Sequence, residues 1–368
     1  MKPLSPTFGQ EVRRLRNERG LSLTQLESRV QYSKGHLSKI ENGKVQPNPG
    51  MARVLDDALQ AAGRLTEMAD APPRPVPTDH TTLRTYDSMF EHHRALGHRQ
   101  SPDIVLPSLR HEMDVLNTLA RSADDPGLGR ALWLLAARYA EYAGWMEQER
   151  GDDASAAEMT KRAVLFAAKG GDPELEAWAW VRSAEFALYR GDARGTVHSA
   201  LRASKSRSLA VQAAAALREA QGYALAGAGE RCEDALERAE ELRQAASETR
   251  YGTTSLIDQV AVTRAWSFHD LGRHAEAAAI LDAQLPLIAP SALRARTRFG
   301  LRRALAHAAA GDVDYACDLV TDLLDDIRQV QSATVHIDLT AFSKLLSRLR
   351  PASGREVAGE ISDILFED

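Results

Sequence analysis

The side chains best placed for recognition chemistry lie in one short stretch. Residues 33–44 read Ser-Lys-Gly-His-Leu-Ser-Lys-Ile-Glu-Asn-Gly-Lys. Ser33 is a natural N-cap, because its hydroxyl can accept a backbone N–H from the first turn of a following helix. Leu37 and Ile40 are three apart and share one face of that helix. Lys34, His36 and Lys39 fall outside that apolar pair. Gly43 suits the position where a helix closes in the left-handed conformation. A basic amphipathic helix with a free N-terminus fits the width of a DNA major groove, where lysine can donate to guanine O6 and N7.

Two earlier elements must position this helix. Gly20 ends a first helix whose apolar positions are Phe8, Val12 and Leu15. Ser22 can cap a second, running to about Val30. Two helices joined by a turn of three to four residues make a helix-turn-helix. Charge agrees. The chain carries −5 overall, yet residues 1–55 hold ten Lys/Arg against four acids, a net +6, which leaves −11 for the other 313 residues. A small basic module fused to an acidic body is the pattern of a phosphate-binding head.

Residues 8–69 resemble the XRE, or lambda-repressor-like, family of DNA-binding domains. The match is carried by Ser33, Leu37, Ser38, Ile40, Glu41, Asn42 and Gly43. The resemblance implies five short helices, the third in the major groove of double-stranded DNA. It implies base reading by Lys34, Gly35, His36 and Lys39, with Ser33 and Ser38 on the same helix. It gives phosphate contacts to Asn42 and Lys44, and a structural pair to Arg16 and Glu41. The sequence departs from the family in having Leu23 in place of a Gln, Glu27 in place of an Ala, and Gln31 in place of a Gly. Thr24 or Gln25 can take the place of the missing Gln contact. Such heads bind as pairs, so a homodimer is implied.

The rest of the chain has a different grammar. Residues 70–79, Asp-Ala-Pro-Pro-Arg-Pro-Val-Pro-Thr-Asp, hold four prolines and read as a linker. The expected organisation is a head at 1–69, a linker at 70–80 and a helical body at 81–368, all-α throughout. The body is rich in Ala, Leu, Arg and Glu, with no sustained period-2 alternation. Gly151, Gly191, Gly229, Gly272 and Gly311 punctuate it, 40, 38, 43 and 39 apart. Small residues follow four of them by five positions: Ala156, Thr196, Ala277 and Ala316. Each unit reads as a helical hairpin that must stack on its neighbours to bury its apolar face. The pattern over 131–330 resembles tetratricopeptide repeats, which implies an α-solenoid with a concave face. Residues 81–120 and 334–366 would cap it or dimerise it.

Counting six and thirteen back from each glycine gives the candidate groove. It comprises Trp145, Glu185, Tyr223 and Trp266, with Arg138, Trp178, Gln259 and Arg298, and with Gln148, Tyr189 and His269 nearby. Aromatic anchors beside a few polar groups make a ligand pocket. Trp180 is assigned to packing between repeats. Layout resembles the peptide-sensing RRNPP regulators. In that family Asn side chains clamp a peptide backbone, but here Asn17, Asn42, Asn48 and Asn117 are the only asparagines and none lies beyond residue 131. A peptide, a small molecule or a protein partner stays open as the effector.

Other chemistry is poorly represented. There is no Walker loop, GxGxxG, HExxH or GxSxG, so neither an enzyme nor a cofactor is expected. His92, His93, His98 and His111 cluster locally, but adjacent histidines on a helix diverge. Two cysteines, Cys232 and Cys317, suit a reducing cytoplasm. No run is apolar enough for a membrane span. The expectation is a cytoplasmic, homodimeric, sequence-specific transcriptional regulator whose activity an effector modulates at the repeats. The alternative is an adaptor that uses the repeats for protein contacts and carries a degenerate head.

Overall fold

The computed structural model describes residues 7–45, 48–70, 78–246, 251–252, 258–349 and 354–366. Among these residues there are twenty α-helices, one short 3-10 turn and no strand. Backbone contacts divide the chain into two compact units, Met1–Arg74 and Pro75–Asp368. Most of the proline-rich segment, 71–77, lies outside the described residues.

The first unit holds α1 (Phe8–Glu18), α2 (Leu23–Glu27), α3 (Lys34–Glu41), α4 (Pro49–Ala58) and α5 (Arg64–Asp70). One apolar core, including Val12, Leu26, Leu37, Leu55, Leu59 and Leu65, joins all five. Thr7 with Gln10 and Ser22 with Gln25 form reciprocal capping boxes at the starts of α1 and α2. Helix α2 ends at Glu27, not at Val30 as the sequence suggests. The N–H groups of Arg29 and Val30 reach back only three residues, to Leu26 and Glu27, so the chain tightens into a turn. Buried Asp56 accepts the N–H groups of Gly63, Leu65 and Thr66 and so locks α4 to α5.

The second unit opens with α6 (His80–Gly97) and α7 (Pro102–Ser122). Five hairpins follow: α8 (Pro126–Glu149) with α9 (Asp153–Gly170), α10 (Glu174–Tyr189) with α11 (Ala193–Ala203), α12 (Leu209–Leu225) with α13 (Gly229–Ala245), α14 (Gln259–Asp270) with α15 (His274–Gln284), and α16 (Leu293–Ala310) with α17 (Val313–Thr321). Then come α18 (Leu324–Val330), α19 (Ala333–Leu349) and α20 (Gly354–Phe366), which share a core with α16 and α17. Four hairpin turns place Gly151, Gly191, Gly272 and Gly311 at positive φ. At the third turn the left-handed residue is Gly227 (φ 72°), while Gly229 opens α13. The repeat register therefore runs through Gly227. Five residues on, Cys232 joins Ala156, Thr196, Ala277 and Ala316, and all five are fully buried. A small side chain there lets the two helices of each hairpin approach closely.

The array curves back on itself. The Arg294 N–H at the start of α16 donates to the His98 carbonyl (2.8 Å) between α6 and α7. The Gln329 amide donates to the Arg99 carbonyl (3.0 Å). The turn between α6 and α7 thus meets α18 and the start of α16, and the inner helices α8, α10, α12, α14 and α16 face a shared interior.

Candidate nucleic-acid interface and interior cavity

Helix α3 is held at both ends. The Ser33 hydroxyl accepts the His36 N–H (3.3 Å), and the Glu27 carboxylate accepts the Lys34 N–H (3.0 Å). Glu27, where the family has Ala, therefore acts as a second cap across the turn. At the other end Gly43 has φ 70°, its N–H donates to the Ile40 carbonyl, and the Lys44 N–H donates to the Lys39 carbonyl, a Schellman closure. Between the ends, Leu37 and Ile40 are buried in the core. Arg16 on α1 grips Glu41 through Nε (2.5 Å) and Nη2 (2.9 Å) and donates to the Leu21 carbonyl through Nη1 (2.7 Å). Arg13 adds a bond to the same carboxylate (3.2 Å). A Cβ on Gly9 would sit 2.2 Å from the Ile40 carbonyl oxygen, so only glycine lets α1 lie this close to α3.

This frame leaves Ser33, Lys34, Gly35, Lys39 and Lys44 exposed. No ion pair engages the three lysines among the described residues. Ser38 is half-buried beside Asn42. His36 does not join the lysines: it is half-buried and stacked on Tyr32, with ring centroids 5.3 Å apart and planes 19° from parallel. The apolar ring surface gains more from Tyr32 than from water. The Asn42 side chain is exposed but has partners within the head, donating to the Ser38 carbonyl (2.8 Å) and accepting from Arg13 (3.0 Å). Thr24 is exposed, and the Gln25 side-chain oxygen accepts the Ser22 N–H (2.8 Å) in the α2 cap.

A second candidate site lies inside the body. The inner helices, with α13 and residues 251–252, line an open cavity of about 560 Å³. Trp145, Gln148, Trp178, Glu185, Tyr189, Gln259, Trp266 and Arg298 line it. Three expected groove residues do not. Tyr223 packs against α12 and α13, because the true turn glycine is Gly227 and six before it is Gln221, which does line the cavity. Arg138 faces α6, where Asp87 (2.6 Å), Glu91 (2.8 Å) and the face of Phe90 engage it. His269 turns to His274 (ring centroids 4.9 Å apart). Trp180 lies under the Arg202 guanidinium (4.0 Å) and packs against the core that α9, α10, α11 and α12 share.

The counting rule also misses most of the charge. Arg182, Arg218, Arg243 and Arg294 line the cavity with Arg298, against Glu141, Glu149 and Glu185. The Glu149 carboxylate is fully enclosed. Burial alone would raise its pKa, but the charges of Arg294 and Arg298 and the hydroxyls of Ser332 (2.5 Å) and Thr334 (3.1 Å) hold it below the ordinary value. Burial lifts Glu141 above the usual carboxylate range, although the Trp178 indole N–H donates to it (3.0 Å). Arg182 pairs with Glu185 and donates to the Gln148 side-chain oxygen (2.7 Å). Arg218 reaches Glu185 only at 3.9 Å. Among the described residues Arg298 has no ion pair, and its Nε and Nη2 have no hydrogen-bond partner. Its guanidinium lies 5.0 Å from the centre of the Tyr189 ring and 6.0 Å from that of Trp266.

Elsewhere the chemistry is ordinary. Among the described residues, no group of three or more His, Cys, Asp or Glu could hold a metal ion. His93 bonds to Glu112 (2.9 Å) while His92 bonds to the Ser88 carbonyl (2.7 Å), so the two diverge. Cys232 and Cys317 are buried and unbridged. No helix of the described residues is long and apolar enough to cross a membrane.

A search of curated proteins finds no match to this chain. Among solved structures, the chain is similar to a Rap protein complexed with Competence and Sporulation Factor: 14% identity, 98% of this chain and 97% of that chain covered, TM-score 0.44. It is also similar to PlcR of Bacillus thuringiensis in complex with the peptide PapR7 and DNA: 13% identity, 92% and 99% covered, TM-score 0.31. Residues 7–68 match the family model described as a helix-turn-helix domain, and that N-terminal segment of the chain is a helix-turn-helix domain.

Proposed function

We propose that this protein is a sequence-specific DNA-binding transcriptional regulator. Two copies bind a palindromic operator, and an effector in the helical body shifts the pair between DNA-competent and incompetent arrangements. The observation that carries this reading is the outer side of α3. Lys34, Gly35 and Lys39 stand exposed, neither lysine in an ion pair among the described residues, on a helix that its caps, its buried Leu37 and Ile40 and the Arg16–Glu41 clamp hold still. An isolated head of this size makes few contacts, and pairing two heads supplies the missing affinity through effective concentration. Lys34 and Lys39 donate to base edges in the major groove, and Lys44 and the backbone after Gly43 meet phosphate.

The test is selection of duplexes from a random library by the purified full-length chain. Inverted repeats with centres about 34–36 Å apart, one helical turn, are the expected product. Lys34→Ala and Lys39→Ala should each weaken binding to the selected duplex by about 1–3 kcal/mol if each reads a base. No enrichment, or undiminished binding by both variants, would overturn the reading.

A further inference from the structure

We infer that the cavity of the helical body takes a small organic anion, its carboxylate or phosphate held by Arg298 and Arg218 and its apolar part laid against Tyr189 and Trp266. The inference rests on the reading of the body as an effector domain and names the effector's chemical class. Three observations carry it.

The first is unmet hydrogen bonding. Among the described residues, Arg298 presents two N–H groups with no acceptor, and Arg218 Nε has none either. Both guanidiniums line the cavity. Buried donors are nearly always satisfied, and a buried cation is costly unless an anion meets it. Among the described residues no acceptor meets Arg298 Nε or Nη2, and the charge of Glu149 acts on the guanidinium without forming an ion pair, so the site has room for an acceptor from outside. The second is charge. Five arginines face three glutamates, and burial favours the neutral form of one of these, Glu141. The cavity is thus cationic inside a body of net negative charge. The third is shape. Its volume, about 560 Å³, falls in the range of small-molecule sites. Tyr189 and Trp266 stand 5.8 Å apart beside Arg298, with Arg302 against one face of Trp266, and the aromatic surface left over suits an apolar group.

The test titrates the full-length chain, without DNA, by calorimetry with three probes: indole-3-acetate, indole-3-acetamide, and the peptide N-acetyl-Ala-Ala-Trp with a free C-terminus. Indole-3-acetate should bind saturably and about tenfold or more tightly than its neutral amide, the margin of one charge-assisted hydrogen-bond pair. Arg298→Met and Arg218→Met should erase that margin while the melting temperature holds or rises, since each removes a poorly paired buried cation. A residue needed only for packing would lower the melting temperature and leave the acid–amide ratio unchanged. Equal affinity for acid and amide, no saturable binding of either, or a margin that survives Arg298→Met would overturn the proposal. Tighter binding of the peptide than of indole-3-acetate would also overturn it and assign the cavity to peptide carboxylates. Should a variant not fold, the acid–amide comparison in the wild-type chain decides alone. Failure here leaves DNA selection through Lys34 and Lys39 untouched, so the two readings fail separately.

Discussion

Glu149, the last residue of α8, is bound by Arg294, 145 residues further along the chain, at 3.2 Å in a fully enclosed setting. The same guanidinium donates to the carbonyls of Gly97 (2.9 Å) and Gln100 (2.6 Å), and Ser332 and Thr334 complete the shell of the carboxylate. One ion pair therefore joins the beginning of the helical array to its end, at the wall of the cavity.

This latch should be expensive to break from one side. Glu149→Gln leaves a buried, under-compensated Arg294 and should cost about 3–5 kcal/mol. Replacing both residues by Met should cost much less, because no lone charge remains. Urea unfolding followed by far-UV circular dichroism reads both. Equal losses for the single and double variants would contradict a coupled pair.

The clamp on α3 should discriminate Arg from Lys. Arg16 makes three bonds, two to Glu41 and one to the Leu21 carbonyl. A lysine cannot reproduce that fork. Arg16→Lys should destabilise the head by roughly 1.5–3 kcal/mol. Amide hydrogen exchange at Leu37 and Ile40 in the full-length chain is the measurement, and unchanged protection would refute the clamp.

Glu27 should behave as a cap and not as a surface acid. Glu27→Ala should lose about 0.5–2 kcal/mol because the Lys34 N–H loses its acceptor. Faster exchange confined to Lys34 and its neighbours is the signature. A gain in stability would show that the carboxylate does nothing useful there.

Burial, with the nearby charges of Arg94 and Arg294, holds His98 down at about 4. The unfolded chain protonates this imidazole near pH 6.5 and the folded chain does not. Its contribution is thus intact above pH 6.5 and is lost as pH falls toward 4, by up to roughly 3 kcal/mol. His98→Gln should flatten the stability–pH curve between pH 6.5 and 4 relative to wild type, with no change above 7. Parallel curves for the two proteins would dismiss the effect.

The turn register can be checked by alanine. Gly227 has φ 72°, where a Cβ costs about 1–2 kcal/mol. Gly229 opens α13, so Gly229→Ala should be neutral or stabilising. Thermal melting that ranks the two variants the other way would restore Gly229 as the turn residue.

Much of the head was legible because its signals are local. The caps at Ser22 and Ser33, the stops at Gly20 and Gly43, and the apolar pair Leu37–Ile40 are each decided within a few residues. His36 was not legible in that way, since its stacking on Tyr32 depends on how the turn before α3 folds. In the body, the spacing of Gly151, Gly191, Gly272 and Gly311 marked the hairpins. Choosing Gly229 over Gly227 shifted the third unit by two residues and put Tyr223 where Gln221 belongs. Two residues are about 200° of a helix, enough to turn a side chain from the interior to the opposite face.

The amino-acid sequence alone determined what nearest neighbours decide: helix after helix, their caps and stops, a basic head on an acidic body, and a hairpin repeat. It could not say that Arg294 would meet Glu149 or that Arg298 Nε and Nη2 would be left without an acceptor among the described residues, because those facts depend on where a long array of small angular steps returns. Helix propensity and capping act over a few residues, whereas the curvature of the stack accumulates over five hairpins. Only the tertiary structure brings residues 98, 149 and 294 to one place and forms the cationic cavity beside them.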